Sequence, residues 1–336
     1  MDPILVAASE GNTAQLQSIL DQDPDAIHVR HPDTSASPLH YAAESGSIEA
    51  VELLLTNGHP WNEVTNDHKT AAEWALGKGH QAVWDRLLQE GIRVEMLLAL
   101  LGKPDAMEYD DETKQKLVDA GQVDVSDFLN KKLTYTDGLL VDEDGNGVMM
   151  NWEGPLMERH AAVIAPTPGL SVLNVGFGLG LIDTFLQDAK PAKHTIIEAH
   201  PDVYAKMLAD GWDKKAGVKI LFGRWQDVVE ELEVYDGIFF DTFGEDYDAL
   251  KEFHELLPNI LSETGVYSYF NGLAGTNIFF HEVSCAIAEA DLQDMGIETK
   301  IEKINMRDLG DEEWDGVRRK YWSLPIYNLP VCKFAM

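Results

Sequence analysis

The sequence predicts an all-α array of short helical repeats followed by an α/β domain whose sheet carries helices on both faces. Three observations carry that reading. Segments near the N-terminus recur, with Gly46 and Gly79 33 residues apart and Gly58 and Gly91 likewise. From about residue 128, short apolar runs alternate with amphipathic stretches, as in repeated strand–helix units. At the first of those junctions lies VLNVGFGLGL, residues 172–181, which reads as strand, glycine-rich turn and helix start.

A length of 336 residues suits two domains, and 45% hydrophobic residues can fill two cores. No apolar run approaches the roughly 20 residues of a membrane helix. MDPILVAASEGN lacks the basic and apolar regions of a secretory signal, so an intracellular protein, cytoplasmic and nuclear, is expected. The two cysteines, Cys285 and Cys332, show no zinc-ligand spacing and exclude a disulfide framework. With 26 Lys and Arg against 58 Asp and Glu, the net charge is −32. Such a field repels phosphate backbones and favours a basic partner, so neither nucleic acid nor membrane is expected to bind.

The repeats are ILVAASEGNTAQLQSIL from Ile4, LHYAAESGSIEAVELLL from Leu39 and AEWALGKGHQAVWDRLL from Ala72. Each has a small-residue helix, a glycine turn and a second helix with paired aliphatics: Ile19-Leu20, Leu54-Leu55 and Leu87-Leu88. Ala42 and Ala43 let neighbouring helices stack closely. SPLHYAAESGSIEAVELLLTNG, residues 37–58, closely resembles the ankyrin repeat; the outer copies are weaker, as capping repeats tend to be. Such arrays dock proteins. His40, His59 and His80 are read as turn and hydrogen-bonding residues rather than metal ligands. The array is expected to end at residue 92, and residues 93–127 to form a helical linker that begins with RVEMLLALLG.

Over 128–336 the runs SVLNVGF, HTIIEAH, VKILFG, DGIFFDTF and GVYSYFNG read as strands. GLIDTFLQDA, PDVYAKMLADGW, WQDVVEELE and LKEFHELLPNIL lie between them as amphipathic segments. NGLAGTNIFFHEVSCAIAEADLQ is expected to be a long helix. IETKIEKINM and KYWSLPIYNLPVCKF would close a seven-stranded sheet as an antiparallel hairpin, with the intervening RDLGDEEWDGVRRKYW overhanging the site. Ligands of such sheets bind beyond the C-terminal strand ends. That is where Asp241 falls, ending the fourth strand in YDGIFFDTFGED.

Gly176, Gly178 and Gly180 let backbone N–H groups approach a ligand. Glu198 ends the next strand, 20 residues after Gly178, where a carboxylate can take both ribose hydroxyls or cap a helix. Trp225 and Gln226 would flank an adenine, or Trp225 would be core. Met149 and Met157, in VMMNWEGPLMERHA, are either core or partners of a thioether. The order of glycine turn, acidic residue, polar-aromatic loop and fourth-strand Asp resembles S-adenosyl-L-methionine-dependent methyltransferases. Asn174 stands where that fold often has an acidic residue.

VMMNWEGPLM, LNVGFGLGL, HTIIEAH, GRWQDV and DGIFFDTF, in this order and spacing, resemble guanidinoacetate methyltransferase and its fungal relatives, the type 2 protein arginine N-methyltransferases. The fungal type also carries ankyrin repeats. The resemblance implies a Rossmann-like seven-stranded methyltransferase domain behind an ankyrin domain. It implies S-adenosyl-L-methionine as cofactor, with S-adenosyl-L-homocysteine as product. Its contacts would be Met149, Met157, Gly176, Phe177, Gly178, Leu179, Gly180, Leu181, Ile182, Glu198, Ala199, His200, Trp225, Gln226 and Asp241, with Phe128 or Tyr135 as a further aromatic contact. It implies that Glu153 and Asp241 hold the guanidine, and that the δ-nitrogen of arginine is methylated in protein substrates, a large-subunit ribosomal protein among them. The chemistry agrees: carboxylates match the five-donor guanidinium fork and can help a poor nucleophile lose its proton. His200 and His254 are alternative bases. The double-Glu and Thr-His-Trp loops of ω-nitrogen arginine methyltransferases are not found in the sequence. The rival readings are a small-molecule guanidino methyltransferase and a non-catalytic ankyrin adaptor.

Overall fold

The computed structural model describes residues 1–101, 127–244 and 247–335. Most of the expected linker, residues 102–126, lies outside them. The described residues form two compact units: 1–101 with 277–287, and 127–276 with 288–335.

In the first unit, helices Pro3–Ser9 and Thr13–Gln22, Pro38–Ser45 and Ile48–Thr56, and Ala71–Gly77 and Gln81–Leu101 form three hairpins. Small residues set their spacing: Ala7, Ala8, Ala42, Ala43 and Ala75 are wholly buried. The last helix runs unbroken from the third repeat through RVEMLLALL. Hydrogen bonding occupies both ring nitrogens of His40 and one of His59. His40 Nδ1 accepts from Ser37 N at 3.2 Å and its Nε2 meets the Lys69 carbonyl at 3.0 Å. Burial lowers the His40 pKa to about 4, so the ring is neutral. His59 Nδ1 donates to the Pro60 carbonyl at 2.8 Å. His80 lies over Gly46, where an added Cβ would come within 2.7 Å of the imidazole. Phe279 completes this core, edge-on to Trp61 and Trp84. It belongs to the helix Ile278–Asp294, so the long-helix segment becomes helical only after Asn277.

The second unit opens with a small antiparallel sheet of β1 (Leu133–Thr136), β2 (Leu139–Asp142) and β3 (Gly147–Met150), which the alternation of longer runs did not announce. The main sheet holds β4 (Ser171–Val175), β5 (Lys193–Glu198), β6 (Val218–Phe222), β7 (Tyr235–Phe240), β8 (Leu261–Tyr269), β9 (Ile297–Asn305) and β10 (Ile326–Phe334). Their order is β6-β5-β4-β7-β8-β10-β9. The strands β4 to β8 pair in parallel, while β10 is antiparallel to β8 and β9. This is the Rossmann-like methyltransferase arrangement. The chain winds outward from β4 to β6 and returns beyond β4 with β7, so the switch point falls between β4 and β7.

WQDVVEELE forms two 3-10 turns, Trp225–Asp227 and Val229–Glu231, instead of a helix. The adjacent Val228 and Val229 disfavour helix, and Trp225, Val228, Val229 and Leu232 all pack in one apolar cluster. LKEFHELLPNIL splits into Tyr247–His254, which begins before it, and Leu257–Ile260, with Pro258 starting the second piece.

Candidate active site

At the switch point the chain builds a cavity of about 360 Å³. Gly176 and Gly178 line it from the end of β4, Glu198 to His200 from the end of β5, Trp225 from the loop after β6, and Asp241 from the end of β7. Phe128 and Met149 line it from the segment before β4. The Glu198 carboxylate is buried and held by main-chain donors: Phe177 N at 2.9 Å on one oxygen, His200 N at 2.7 Å on the other. Burial raises its pKa, and these N–H groups oppose the rise.

The glycine turn is packed as much as it is open. Gly176 has φ 93°, and a Cβ on it would lie 1.8 Å from the Asp241 carbonyl oxygen. The ends of β4 and β7 are locked by Asp241 N donating to Val175 O at 2.9 Å. Asn174 donates through Nδ2 to Gly176 O and to Asp183 Oδ2, both at 2.8 Å. Asp183 meets His194 Nε2 at 2.9 Å on its other oxygen. An amide at position 174 therefore braces the turn from below, and Asp183 supplies the carboxylate one step further back.

A second cavity, about 230 Å³, shares Val148, Asp241 and Phe243 with the first. Glu153 and Asp241 both line it. Glu153 sits where β3 passes through the 3-10 turn Asn151–Glu153 into the helix Gly154–Ile164. Its Oε1 accepts from Met150 N at 2.8 Å and from the Tyr321 hydroxyl at 2.6 Å. Burial raises the Glu153 pKa to about 7, against the pull of those two donors. Asp241 is pushed well above the carboxylate range by burial and by the neighbouring Glu153. Two carboxylates that disfavour each other's charge form a site that favours a bound cation.

The structure brings Phe128, Met149, Gly176, Gly178, Glu198, Ala199, His200, Trp225 and Asp241 to the first cavity, and Glu153 to the second. The other proposed contacts stand behind the wall. Met157 and Ile182 are buried in the core cluster around Phe239. Phe177 packs edge-on to Trp212 and lies over Gly180. Leu179 N donates to Met149 Sδ at 3.2 Å, and Leu181 is partly buried against the Phe239 cluster. The Tyr135 hydroxyl donates to Gly178 O at 3.4 Å, so of the two candidate aromatics Phe128 lines the cavity and Tyr135 braces the turn. Gln226 points its amide nitrogen to Glu252 at 3.5 Å. Trp225 reconciles both readings of it: it packs on Phe253 and lines the cavity, and its Nε1 has no partner among the described residues.

Of the alternative bases, His200 lines the first cavity but bonds through Nε2 to Lys131 O at 3.0 Å. His254 is buried against Tyr267 at 3.1 Å and lines neither cavity. Sequence reading missed Phe243, two residues after Asp241, and Tyr321 in the β9–β10 loop. The phenol in RRKYW was the available signal for the second.

Residues 134–310 match the guanidinoacetate N-methyltransferase family, and residues 4–97 match three ankyrin repeats. The chain is 34% identical over 396 residues to protein arginine N-methyltransferase 2 of Aspergillus oryzae, covering 98% of this chain and 96% of that one. The protein of the same name in Emericella nidulans is 33% identical, with the same two coverages, 98% and 96%. In Cryptococcus neoformans var. neoformans it is 38% identical over 338 residues, covering 90% and 87%.

Proposed function

The chain belongs to the protein arginine N-methyltransferase 2 family, and from that premise we propose that it methylates the δ-nitrogen of arginine in protein substrates. The reading rests most on one observation. Glu153, buried, and Asp241, partly buried, line one cavity that borders the Glu198 cavity. A guanidinium supplies the cation that such a pair lacks, and its planar fork offers donors to both carboxylates.

The first cavity suits S-adenosylmethionine by its donor set. Glu198 keeps lone pairs for ribose hydroxyls beyond those taken by Phe177 N and His200 N. Phe128 and Trp225 offer aromatic surface, and Met149 a soft sulfur. When bound, the cofactor supplies an electrophilic methyl group on a sulfonium. The protein's part is positioning and proton handling. Asp241 borders both cavities and orients the acceptor at their junction. Glu153 takes up terminal N–H donors, which concentrates positive charge away from the reacting nitrogen. One of the two carboxylates accepts the proton that this nitrogen must lose. With Glu153 on the terminal nitrogens, Asp241 is left to take the proton of the internal δ-nitrogen, which supports that position, as does the resemblance. A ribosomal protein substrate follows from the resemblance alone, and the acidic charge of the chain suits it.

Asp241→Asn and Glu153→Gln are each expected to lower turnover by about a hundredfold or more while the protein stays folded. Folding would be followed by thermal melting and methylation by transfer of labelled methyl groups. Wild-type turnover in either variant would sink the mechanism. The same intact carboxylates speak against a non-catalytic adaptor.

A further inference from the structure

We propose that Tyr321 is a positioning residue of the acceptor site: its hydroxyl fixes the orientation of Glu153 and keeps that carboxylate ionised while the guanidine is engaged. This rests on the reading of Glu153 and Asp241 as guanidine ligands. The geometry is specific. The Tyr321 hydroxyl donates to Glu153 Oε1 at 2.6 Å, and Met150 N donates to the same oxygen at 2.8 Å. Oε1 thus carries both internal donors, and Oε2 is left to meet an acceptor.

The phenol is itself held. Trp152 and Trp314 flank it, with ring centroids 5.6 and 5.1 Å away. A Cβ on Gly147 would come within 3.1 Å of its ring, so β3 passes directly beneath. Next to it, Arg318 N donates to Gly145 O at 2.6 Å, which fastens the β9–β10 loop to the β2–β3 turn. The site is therefore assembled from β7, β3 and a loop 168 residues beyond Glu153 in the chain.

The charged and titratable groups around Glu153 have opposing effects. Asp241, from the end of β7, disfavours a second negative charge beside it. Arg319 lines the same cavity from the β9–β10 loop, with its pKa lowered by burial and by Arg318. The Tyr321 and Met150 donors favour the ionised form and pull the Glu153 pKa down, against burial. Removing one donor raises that pKa. If the ionised form is the active one, activity is lost as pH falls through the pKa, so the acid limb moves to higher pH.

The test is the pH profile of kcat/KM for methyl transfer to an arginine-containing acceptor by the full chain, for wild type, Tyr321→Phe and Trp314→Phe. The expected wild-type acid limb is that of the Glu153–Asp241 pair, raised above the ordinary carboxylate range. Tyr321→Phe is expected to displace it upward by about one pH unit, the scale of one hydrogen bond to a charged group. Cofactor affinity, measured by calorimetry, should stay within about twofold of wild type, which also reports folding. Trp314→Phe thins the packing but keeps the hydroxyl, and its limb should stay with wild type. A Tyr321→Phe limb that coincides with wild type, or a Trp314→Phe limb that moves as far, overturns the proposal. Asp241→Asn in the same assay separates the levels. If it is inactive while Tyr321→Phe is unshifted, only the role of Tyr321 fails. If it is fully active, the guanidine reading fails and this inference with it.

Discussion

Glu198 and Glu153 are both buried carboxylates, yet their partners give them different work. Glu198 is held by main-chain N–H groups that belong to the turns it orients, so it reads out the shape of the first cavity. Glu153 is held on one oxygen only, which leaves the other for an acceptor. Replacing Glu198 with Gln should therefore weaken cofactor binding by about tenfold or more, since a charged hydrogen bond contributes roughly 1.5–3 kcal/mol. Calorimetric titration with S-adenosylmethionine measures this, and an unaltered dissociation constant contradicts the ribose assignment. At this scale the sequence was most legible where side chains follow strand ends. Asp241 and Glu198 could be placed because each closes an apolar run. Tyr321 could not be tied to Glu153, because no local pattern relates residues so far apart. Ile182 could be named as a contact only by resemblance, and Met157 could not be told from core, since periodicity does not separate a cavity wall from the layer behind it.

At the scale of elements, the glycine turn after β4 is a joint between strands before it is a cradle for a ligand. The Gly176 position admits no side chain, because the backbone of Asp241 occupies the space of a Cβ. Gly176→Ala should destabilise the fold by about 2–5 kcal/mol, combining left-handed strain with a main-chain clash. Gly169→Ala is the control. Its φ is 88° and nothing lies within 4 Å of the added carbon, so only about 1–2 kcal/mol is expected. Equal losses of melting temperature in the two variants would show that the clash does not matter.

The central strands β4, β5 and β7 were legible because parallel strands buried on both faces read as continuous apolar runs. The strands β1 to β3 were not, since each has only four residues and is partly exposed. Their turn signals, Asp137-Gly138 and Gly145 in DEDGNG, were the cue for hairpins. The segment after β6 was read as amphipathic but gave two 3-10 turns, because the valine pair and the nearby start of β7 leave no room for a helix.

For the whole molecule, the sequence joins an ankyrin array to a methyltransferase fold in a chain of net charge −32. Such a field draws a basic protein and raises its local concentration. The family relationship carries arginine methylation, while the choice of nitrogen rests on how Glu153 and Asp241 engage the guanidine. The measurement that tests this most directly is the identity of the methylarginine. The purified chain would be incubated with methyl-labelled S-adenosylmethionine and an extract from cells lacking the enzyme. The labelled protein would then be hydrolysed and the isomer identified by fragmentation. The account predicts δ-N-methylarginine in protein, and none with Asp241→Asn. Label on the ω-nitrogens, or on small guanidino compounds with none in protein, would contradict it.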